Sequence, residues 1–174
     1  MEILSLFWMV DLMFKAQVIT CSDKASKGLR EDTSGEYIKN HLLEKGFDVK
    51  DKVIISDDLE EIKYKLLYFT DNINVDLIIT TGGTGFSPRD NTPEATKEVI
   101  LRAVPGISEM LRMESLRFTK KAYLSRGVSG IRERTLIINL PGSLSGVKDY
   151  LSLLDDVFDH GLKILKNLDQ ECGN

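Results

Sequence analysis

The chain has 174 residues, 42% hydrophobic and 29% charged, and its 23 basic and 27 acidic side chains give a net charge of −4. With only 4 prolines and 13 glycines, this composition excludes a disordered or collagen-like chain and predicts one globular domain. The charges form no basic run of the kind that binds nucleic acid. Cys21 and Cys172 lack metal-ligand spacing, which argues against a zinc site and favours a reducing, cytoplasmic location.

The first twelve residues contain an apolar run from Ile3 to Val10. It is too short for a membrane span, which needs about 20 apolar residues, and it lacks the basic start and the cleavage site of a signal peptide. We therefore predict no membrane segment. Two interpretations stay open for residues 1–12: an extension preceding a domain of residues 13–174, or a short packed element.

From residue 13 onward, short apolar runs alternate with amphipathic stretches. Strands are predicted over residues 16–21, 47–55, 75–80 and 135–140. Helices are predicted from a cap at Thr33 or Ser34 to a stop at Gly46, from residues 56–58 to Phe69, from a cap at Thr92 onward, over 107–118, and from Val147 to Leu165. This alternation predicts β-α-β units and a doubly wound, mostly parallel sheet. Because the helix of residues 107–118 is apolar on two sides, it also indicates a subunit contact.

Polar clusters follow the predicted strands, at the edge where ligands bind in such sheets. They are Ser22-Asp23, Asp57-Asp58, the segment 82–90, and the segment 139–143. Their recurrence at one edge predicts a ligand site there. For Asp57 alone, a role limited to capping the next helix stays open.

The segment TTGGTGFSPRD, residues 80–90, is the most informative of these clusters. Its three glycines leave backbone N–H groups open to close approach by an anion, so we predict a phosphate cradle. It matches neither the P-loop pattern nor GxGxxG. A generic glycine-rich turn is the alternative, but Arg89 and Asp90 place an anion-binding cation and a metal-binding carboxylate beside the loop.

The reactive side chains limit the chemistry. The two histidines, His41 and His160, fall on predicted helices, which disfavours a histidine-based triad, and Cys21 is expected to be a small buried residue. Phosphoryl or nucleotidyl transfer fits better, because positioning and charge neutralisation by Mg²⁺ on carboxylates supply most of the catalysis.

Four segments, in order and spacing, resemble the MogA/MoaB family of molybdenum cofactor biosynthesis. They are VITCSDKASKGLREDTSG, TTGGTGFSPRDNTPEAT, LSRGVSGIR and TLIINLPGS, and the resemblance extends from Phe14 to Leu165. It implies a three-layer α/β domain with helices on both faces, assembled as a trimer or, in some relatives, a hexamer. It also implies an adenylyltransferase that moves AMP from Mg-ATP to the terminal phosphate of molybdopterin and releases pyrophosphate. The chain departs from the family at Ser56, where relatives usually have Pro, and before Met13.

The resemblance places the acidic positions of the family on Asp57 and Asp90, the expected Mg²⁺ ligands, and its functional serine on Ser125. The remaining candidate substrate-binding residues are Ser22, Asp23, Thr81, Gly82, Gly83, Thr84, Gly85, Arg89, Arg126, Asn139, Pro141, Gly142 and Ser143. Of these, Asn139, Gly142 and Ser143 are expected on the pterin side with Ser125. Arg89 and Arg126 are expected to offset the charge of the two polyanionic substrates.

Two other functions stay open. One is a molybdopterin-binding paralogue without activity, which these motifs separate poorly from the enzyme. The other is a nucleotide hydrolase, which would need a positioned water and a base for which no dedicated residue is evident. A molybdate-inserting enzyme acting next is the candidate protein partner.

Overall fold

Six strands form one mixed sheet in the computed structural model, which describes residues 13–168. They are β1 (Ala16–Cys21), β2 (Lys52–Ile55), β3 (Leu77–Thr81), β4 (Arg102–Ala103), β5 (Ser129–Arg132) and β6 (Thr135–Leu140). The spatial order is β2-β1-β3-β6-β5-β4; the first four strands are parallel, β5 pairs antiparallel with β6, and β4 pairs antiparallel with β5 at the edge. The predicted mostly parallel sheet is confirmed. The interpretations of residues 1–12 lie outside the described residues.

Helices connect the strands. They are α1 (Asp23–Ser26), α2 (Thr33–Glu44), α3 (Leu59–Leu67), α4 (Thr92–Val99), α5 (Pro105–Ser115) and α6 (Leu144–Leu165). A π-helical turn over Tyr68–Asn72 extends α3, and a 3-10 helix covers Lys120–Leu124. Between residues 13 and 168, none of these helices has the length and apolar character needed to cross a bilayer.

The two faces of the sheet carry separate apolar cores. On β1 and β3, Val18 and Ile79 belong to the core that α2, α5 and α6 cover. Their neighbours Ile19 and Ile78 belong to the core that α3 and α4 cover. Successive side chains of a strand point to opposite faces, so strands buried on both sides are apolar throughout. The three-layer α/β fold with helices on both faces is confirmed.

Two helix starts differ from the sequence prediction. Asp32, rather than Thr33 or Ser34, caps α2, because its carboxylate accepts a hydrogen bond from the Gly35 amide at 2.8 Å. Thr92 lies inside the first turn of α4 instead of capping it, and its hydroxyl donates to the Gly82 carbonyl at 2.9 Å. The α2 cap is thus a bond within the helix itself, whereas the Thr92 hydroxyl is drawn to the loop after β3.

The observed bounds of one strand and one helix also differ from the predicted ones. The strand predicted over residues 47–55 is reduced to β2, with one isolated bridge between Lys15 and Asp48. The helix predicted over 107–118 is α5, which begins two residues earlier at Pro105, a residue suited to a helix start, and ends at Ser115. Gly46 has a φ of +84° just beyond α2, so the predicted helix stop is confirmed.

The strand order places a crevice at the carboxyl edge of the sheet. Strand β1 lies between β2 and β3. The connection from β1 leads to its neighbour on one side, and the connection from β2 leads back across β1 to β3 on the other side. At such a switch point the loops that follow neighbouring strands separate, and ligands bind between them.

Candidate active site

The loops that follow β1, β2, β3 and β6 enclose a cavity of about 370 Å³ at this edge. Its lining includes the predicted site residues Ser22, Asp57, Thr81, Gly82, Gly83, Asp90, Gly142 and Ser143. Residues from four separate segments therefore meet in one crevice. The structure adds Arg30, Glu31, Asp32 and Thr33 to this lining; they lie in the first of the four matched segments, but none was selected as a site residue.

Asp57 is held by the loop that follows β1. Its Oδ2 accepts a hydrogen bond from the Asp23 amide at 2.8 Å, and its own amide donates to Oδ1 of Asp23 at 3.1 Å. The pKa of Asp57 is raised, first by burial and further by the carboxylates of Asp23 and Asp90. A half-buried carboxylate close to two others is a suitable ligand for a cation. Asp58, the next residue, caps α3 instead, since it accepts from the Glu61 amide at 3.0 Å.

Arg89 and Asp23 form an ion pair across the crevice mouth. The Nε of Arg89 lies 3.0 Å from Oδ2 of Asp23, and its Nη2 lies 2.8 Å from Oδ1. The hydrogen bonds from Arg89 and from the Asp57 amide lower the pKa of Asp23 to about 2. Arg89 therefore lies near Asp57, with its guanidinium bound to a carboxylate, although it lines neither cavity; its role as a cation for the substrates stays a prediction.

Two glycines of the loop after β3 occupy positions closed to other residues. Gly82 has a φ of +93° and Gly83 a φ of +64°, both in the left-handed region. A Cβ on Gly82 would overlap the Cys21 carbonyl oxygen, and one on Gly83 would overlap the Thr92 hydroxyl and lie 3.2 Å from Oδ1 of Asp57. Any side chain at residue 83 would therefore enter the space beside Asp57.

The open backbone amides are those of Gly83, Thr84 and Gly85. In the part of the chain that the structure describes, none of these three donates a hydrogen bond, whereas the Gly82 amide donates to the Leu140 carbonyl at 3.3 Å. The predicted cradle of residues 82–85 is thus corrected at its first member, because Gly82 is held by β6. The Thr92 amide is also bonded, because it donates to the Gly83 carbonyl at 3.2 Å. The start of α4 can therefore attract an anion through its helix dipole, but not through a hydrogen bond from the Thr92 amide.

Asp90 closes the same loop. Its Oδ2 accepts from the Ser87 amide at 3.0 Å, and its amide donates to the Ser87 carbonyl at 2.9 Å. Asp57 and Asp90 line one cavity, and among residues 13–168 no cluster of three or more His, Cys, Asp or Glu side chains is arranged to hold a metal. Two carboxylates beside the unbonded amides of residues 83–85 fit Mg²⁺, which protein sites commonly bind through one or two carboxylates together with substrate phosphates. Asp57 and Asp90 are the residues that would hold it.

A second cavity, of about 380 Å³, lies beyond the glycine loop. It shares Gly83, Asp90, Gly142 and Ser143 with the first and is also lined by Thr84, Gly85, Ser125, Pro141 and Tyr150. Burial raises the pKa of the Tyr150 hydroxyl, which lines this cavity with Ser125. Tyr150 falls within the helix predicted from Val147 to Leu165 and was not selected as a site residue; a hydroxyl on the buried face of that helix was the available signal.

Three other predicted residues have structural bonds at the crevice edge. The Ser22 hydroxyl caps α1 by accepting from the Ala25 amide at 3.2 Å, and the Ser143 hydroxyl caps α6 by accepting from Gly146 at 3.2 Å. The Thr81 hydroxyl donates to the Pro141 carbonyl at 2.7 Å, which joins the loops after β3 and β6. These bonds fix the walls of both cavities.

Asn139 is placed elsewhere. It is 2% exposed, its Nδ2 donates to the hydroxyls of Thr80 and Thr96 at 2.9 Å each, and its Oδ1 accepts from the Val128 amide at 3.1 Å. It lines neither cavity. The expected position on the pterin side is corrected to one in the core beneath the site, because the pleat of β6 turns this side chain toward α4.

Arg126 is likewise engaged by protein groups. Its side chain pairs with the Glu94 carboxylate and donates to the Gly85 and Asp90 carbonyls. Its prediction as a phosphate-binding cation stays untested, and these contacts oppose it. Glu94 lies within the matched segment TTGGTGFSPRDNTPEAT but was not selected as a site residue. Its contribution comes from the ion pair with Arg126, 32 residues away, which the local sequence does not reveal.

Cys21 is 2% exposed and burial raises its pKa to about 12, so its prediction as a small buried residue is confirmed. His41 lies away from the crevice on α2, where its Nε2 is 2.8 Å from Oδ1 of Asp155.

A family profile described as "Probable molybdopterin binding domain" matches residues 17–160, a range that contains every predicted site residue. The chain belongs to this family. The resemblance drawn from the four sequence segments is confirmed.

Members of the family with known names cover most of the chain. It is 43% identical over 136 residues to the molybdopterin adenylyltransferase of Helicobacter pylori J99, covering 77% of each protein. It is 36% identical over 152 residues to the molybdopterin adenylyltransferase of Escherichia coli K12, covering 83% of this chain and 77% of the relative. Among solved structures, the molybdopterin biosynthesis enzyme MoaB of Thermus thermophilus is 43% identical with a TM-score of 0.84, over 89% of this chain and 98% of that one.

Proposed function

We propose that this protein is a molybdopterin adenylyltransferase that uses ATP and Mg²⁺. The observation that carries the proposal is the position of Asp57 and Asp90 in one crevice, beside the open amides of residues 83–85. Carboxylates for a cation and amides for a phosphate are what transfer between two polyanions requires. The 43% identity to a protein named for this activity supports the same conclusion.

The reaction forms one phosphorus–oxygen bond and breaks another. An oxygen of the terminal phosphate of molybdopterin attacks the α-phosphorus of ATP, and the bond from that phosphorus to the oxygen bridging the α and β phosphates breaks. Adenylylated molybdopterin and pyrophosphate are the products. The attacking phosphate oxygen is already ionised, so no histidine or other strong base is required in the crevice.

The residues of the chain orient the two substrates and offset their charge. Mg²⁺ bound by Asp57 and Asp90 would neutralise charge on the reacting phosphates. The amides of Gly83, Thr84 and Gly85 offer their partial positive charge to a phosphate in the crevice. Arg89 sits at the mouth and is exposed, so a polyphosphate can compete with Asp23 for its guanidinium.

Two adjoining cavities support a reaction with two substrates. Gly83 and Asp90 belong to the lining of both, so they lie where the spaces meet. Ser125 lines only the second, together with Tyr150, and is the hydroxyl proposed to bind a substrate there. This arrangement can hold two ligands with their phosphates directed at the same pair of residues.

The test is incubation of the purified protein with molybdopterin, ATP and Mg²⁺, followed by assay of pyrophosphate and adenylylated pterin. We expect both products in equal amounts and neither when pterin is omitted. Release of pyrophosphate or phosphate from ATP alone would indicate a hydrolase. Pterin binding without pyrophosphate, measured by equilibrium titration, would indicate a non-catalytic paralogue and overturn the proposal.

We also propose that the protein forms a trimer. Exposed apolar side chains support a subunit contact on and after α5: Met113 is 64% exposed, Phe118 59% and Tyr123 64%. Apolar side chains grouped in this way on a folded domain are typical of an interface. The cytoplasmic location and the molybdate-inserting partner stay predictions.

A further inference from the structure

Arg126 connects both ends of the loop that carries the candidate site. Its Nε donates to the Gly85 carbonyl at 2.7 Å and its Nη2 to the Asp90 carbonyl at 2.6 Å. Its backbone amide donates to the Thr84 carbonyl at 2.8 Å. One residue therefore binds the chain just before and just after residues 86–89.

The third contact of the side chain is with Glu94 on α4, whose Oε1 pairs with Nη1 of Arg126. The other carboxylate oxygen of Glu94 is buried and has no hydrogen-bond partner among the described residues. Arg126 is thus the cation that compensates this carboxylate. The two side chains are 34% and 41% exposed, so the pair is partly buried and less screened by solvent than a fully exposed ion pair.

These contacts leave Arg126 unsuited to binding a substrate phosphate. All three guanidinium nitrogens donate to oxygens of the protein, and the charge is balanced by Glu94. Arg89 provides a contrast: it is bonded to one carboxylate only, and its side chain is 55% exposed against 34% for Arg126.

The segment that Arg126 spans has two other ties to the protein: Arg89 pairs with Asp23, and the Asn91 side chain, just after Asp90, donates to the Asp57 carbonyl at 2.9 Å. Phe86 is 70% exposed, and within the segment the turn is closed by the bonds between Ser87 and Asp90. Arg126 holds both ends of the segment, so the distance between the amides of residues 83–85 and the Asp90 carboxylate depends in part on its contacts. A guanidinium suits this task, because its planar fork holds several acceptors in fixed directions, which an ammonium group does not.

We propose that Arg126, anchored by Glu94, is a positioning residue for adenylyl transfer that holds Asp90 at a fixed place relative to the phosphate-binding amides. It acts through Asp90 and touches neither substrate. This inference rests on the proposed function for its catalytic consequence, but the structural tie itself can be tested without turnover.

The test compares Arg126→Lys and Glu94→Gln with Arg132→Lys as a matched control. Arg132 lies on β5, makes two bonds to Asp71 at 2.8 and 2.7 Å, and donates to the Val99 carbonyl at 3.1 Å, away from both cavities. Replacing the Arg132 guanidinium by the lysine ammonium is expected to lower the stability of the protein without affecting the candidate site. This control therefore separates the general effect of losing an arginine hydrogen-bond network from the specific effect of misplacing Asp90.

The first readout is independent of activity. Hydrogen exchange at the amides of Gly82, Asp90 and Thr92, which are bonded within and beside the loop, is expected to accelerate about 10-fold in Arg126→Lys, equivalent to a loss of about 1.4 kcal/mol. Mn²⁺ binding in the presence of a non-hydrolysable ATP analogue, followed by electron paramagnetic resonance, is expected to weaken. Glu94→Gln should act in the same direction with a smaller effect, and Arg132→Lys should change neither measurement.

The second readout is the kinetic split. We expect kcat to fall about 10- to 100-fold in Arg126→Lys, while KM for ATP and for molybdopterin changes less than about 3-fold, because misplacement mainly affects the transition state. A rise in either KM by about 10-fold with kcat and exchange unchanged would make Arg126 a substrate ligand and overturn the proposal. Unchanged exchange and unchanged Mn²⁺ binding would also overturn it. An inactive wild-type protein would refute the proposed function, while the exchange and Mn²⁺ data would still decide the positioning.

Discussion

Asp23 and Asp57 each donate a backbone N–H to the carboxylate of the other, at 2.8 and 3.1 Å. This exchange joins the loop after β1 to the loop after β2, two segments 34 residues apart. It fixes one Asp57 oxygen against a backbone donor and leaves the other directed toward the crevice side of Gly83. Asp23, selected from the sequence as a substrate ligand, thus has a further task as the residue that orients Asp57.

The raised pKa of Asp57 predicts opposite effects of Asp57→Asn on activity and stability. Activity should fall about 100-fold or more, because a charged group directed at the reacting phosphates is lost. Stability should rise at pH 7, because burial and the nearby carboxylates of Asp23 and Asp90 disfavour the folded anion. Urea unfolding and the adenylyl transfer assay measure the two effects.

The difference in stability between Asp57→Asn and the wild type is also expected to depend on pH. A carboxyl group whose pKa is raised on folding destabilises the protein above that pKa and has no effect once it is protonated in both states. The advantage of Asp57→Asn should therefore shrink as the pH falls through the raised pKa toward the ordinary aspartate value. Asp58→Asn is the control, since asparagine caps α3 as well as aspartate does. A variant at residue 57 less stable than the wild type at pH 7 would contradict the prediction.

Gly83 and Gly46 form a matched pair, because both have positive φ but different surroundings. We expect Gly83→Ala to abolish detectable binding of a non-hydrolysable ATP analogue, because the new Cβ overlaps the Thr92 hydroxyl and approaches Asp57. Gly46→Ala meets open space and should cost only about 1 kcal/mol of stability through its φ of +84°. Calorimetric titration and thermal unfolding of both variants check this. Normal nucleotide binding by Gly83→Ala would remove the glycine loop from the site.

Asn139→Leu should affect stability rather than substrate binding. The substitution keeps a similar volume but leaves the Val128 amide and the Thr80 hydroxyl unpaired, while the Thr96 hydroxyl keeps its bond to the Thr92 carbonyl. Buried groups left unpaired in this way cost about 2–4 kcal/mol in total. Chemical denaturation measures the loss, and pterin titration is expected to give an unchanged Kd. A weakened Kd at unchanged stability would instead return Asn139 to the pterin side.

The proposed trimer predicts that charge at the exposed apolar side chains on and after α5 produces monomers. The double substitution Met113→Glu with Phe118→Glu should convert the assembly to a monomer by light scattering at micromolar concentration, because both side chains are more than half exposed in one chain. Tyr64→Glu, on α3 in the opposite layer, is 62% exposed in the wild type and should leave the mass unchanged. A monomeric wild-type protein would refute the trimer.

The sequence by itself determined the elements with strong local patterns. The bounds of β6 were predicted without error, since Thr135–Leu140 is a largely apolar and β-branched run. The helix stop at Gly46 and the long apolar stripe of α6 also came from local composition. The glycine loop was recognisable because few residues other than glycine adopt its backbone conformation. In contrast, β4 and β5 have two and four residues, too few for a periodic pattern, and were not predicted.

Only the tertiary structure decided which residue of each polar cluster faces the crevice. Asn139 faces away from the crevice because it bonds to Thr80 and Thr96, which are 59 and 43 residues away in sequence. Arg126 is likewise engaged by Glu94, 32 residues away. The Gly82 amide is used by Leu140 in the neighbouring strand. A motif records which polar groups are present. Whether such a group binds the protein or remains open to a ligand depends on hydrogen bonds between segments distant in sequence, which leave no local pattern.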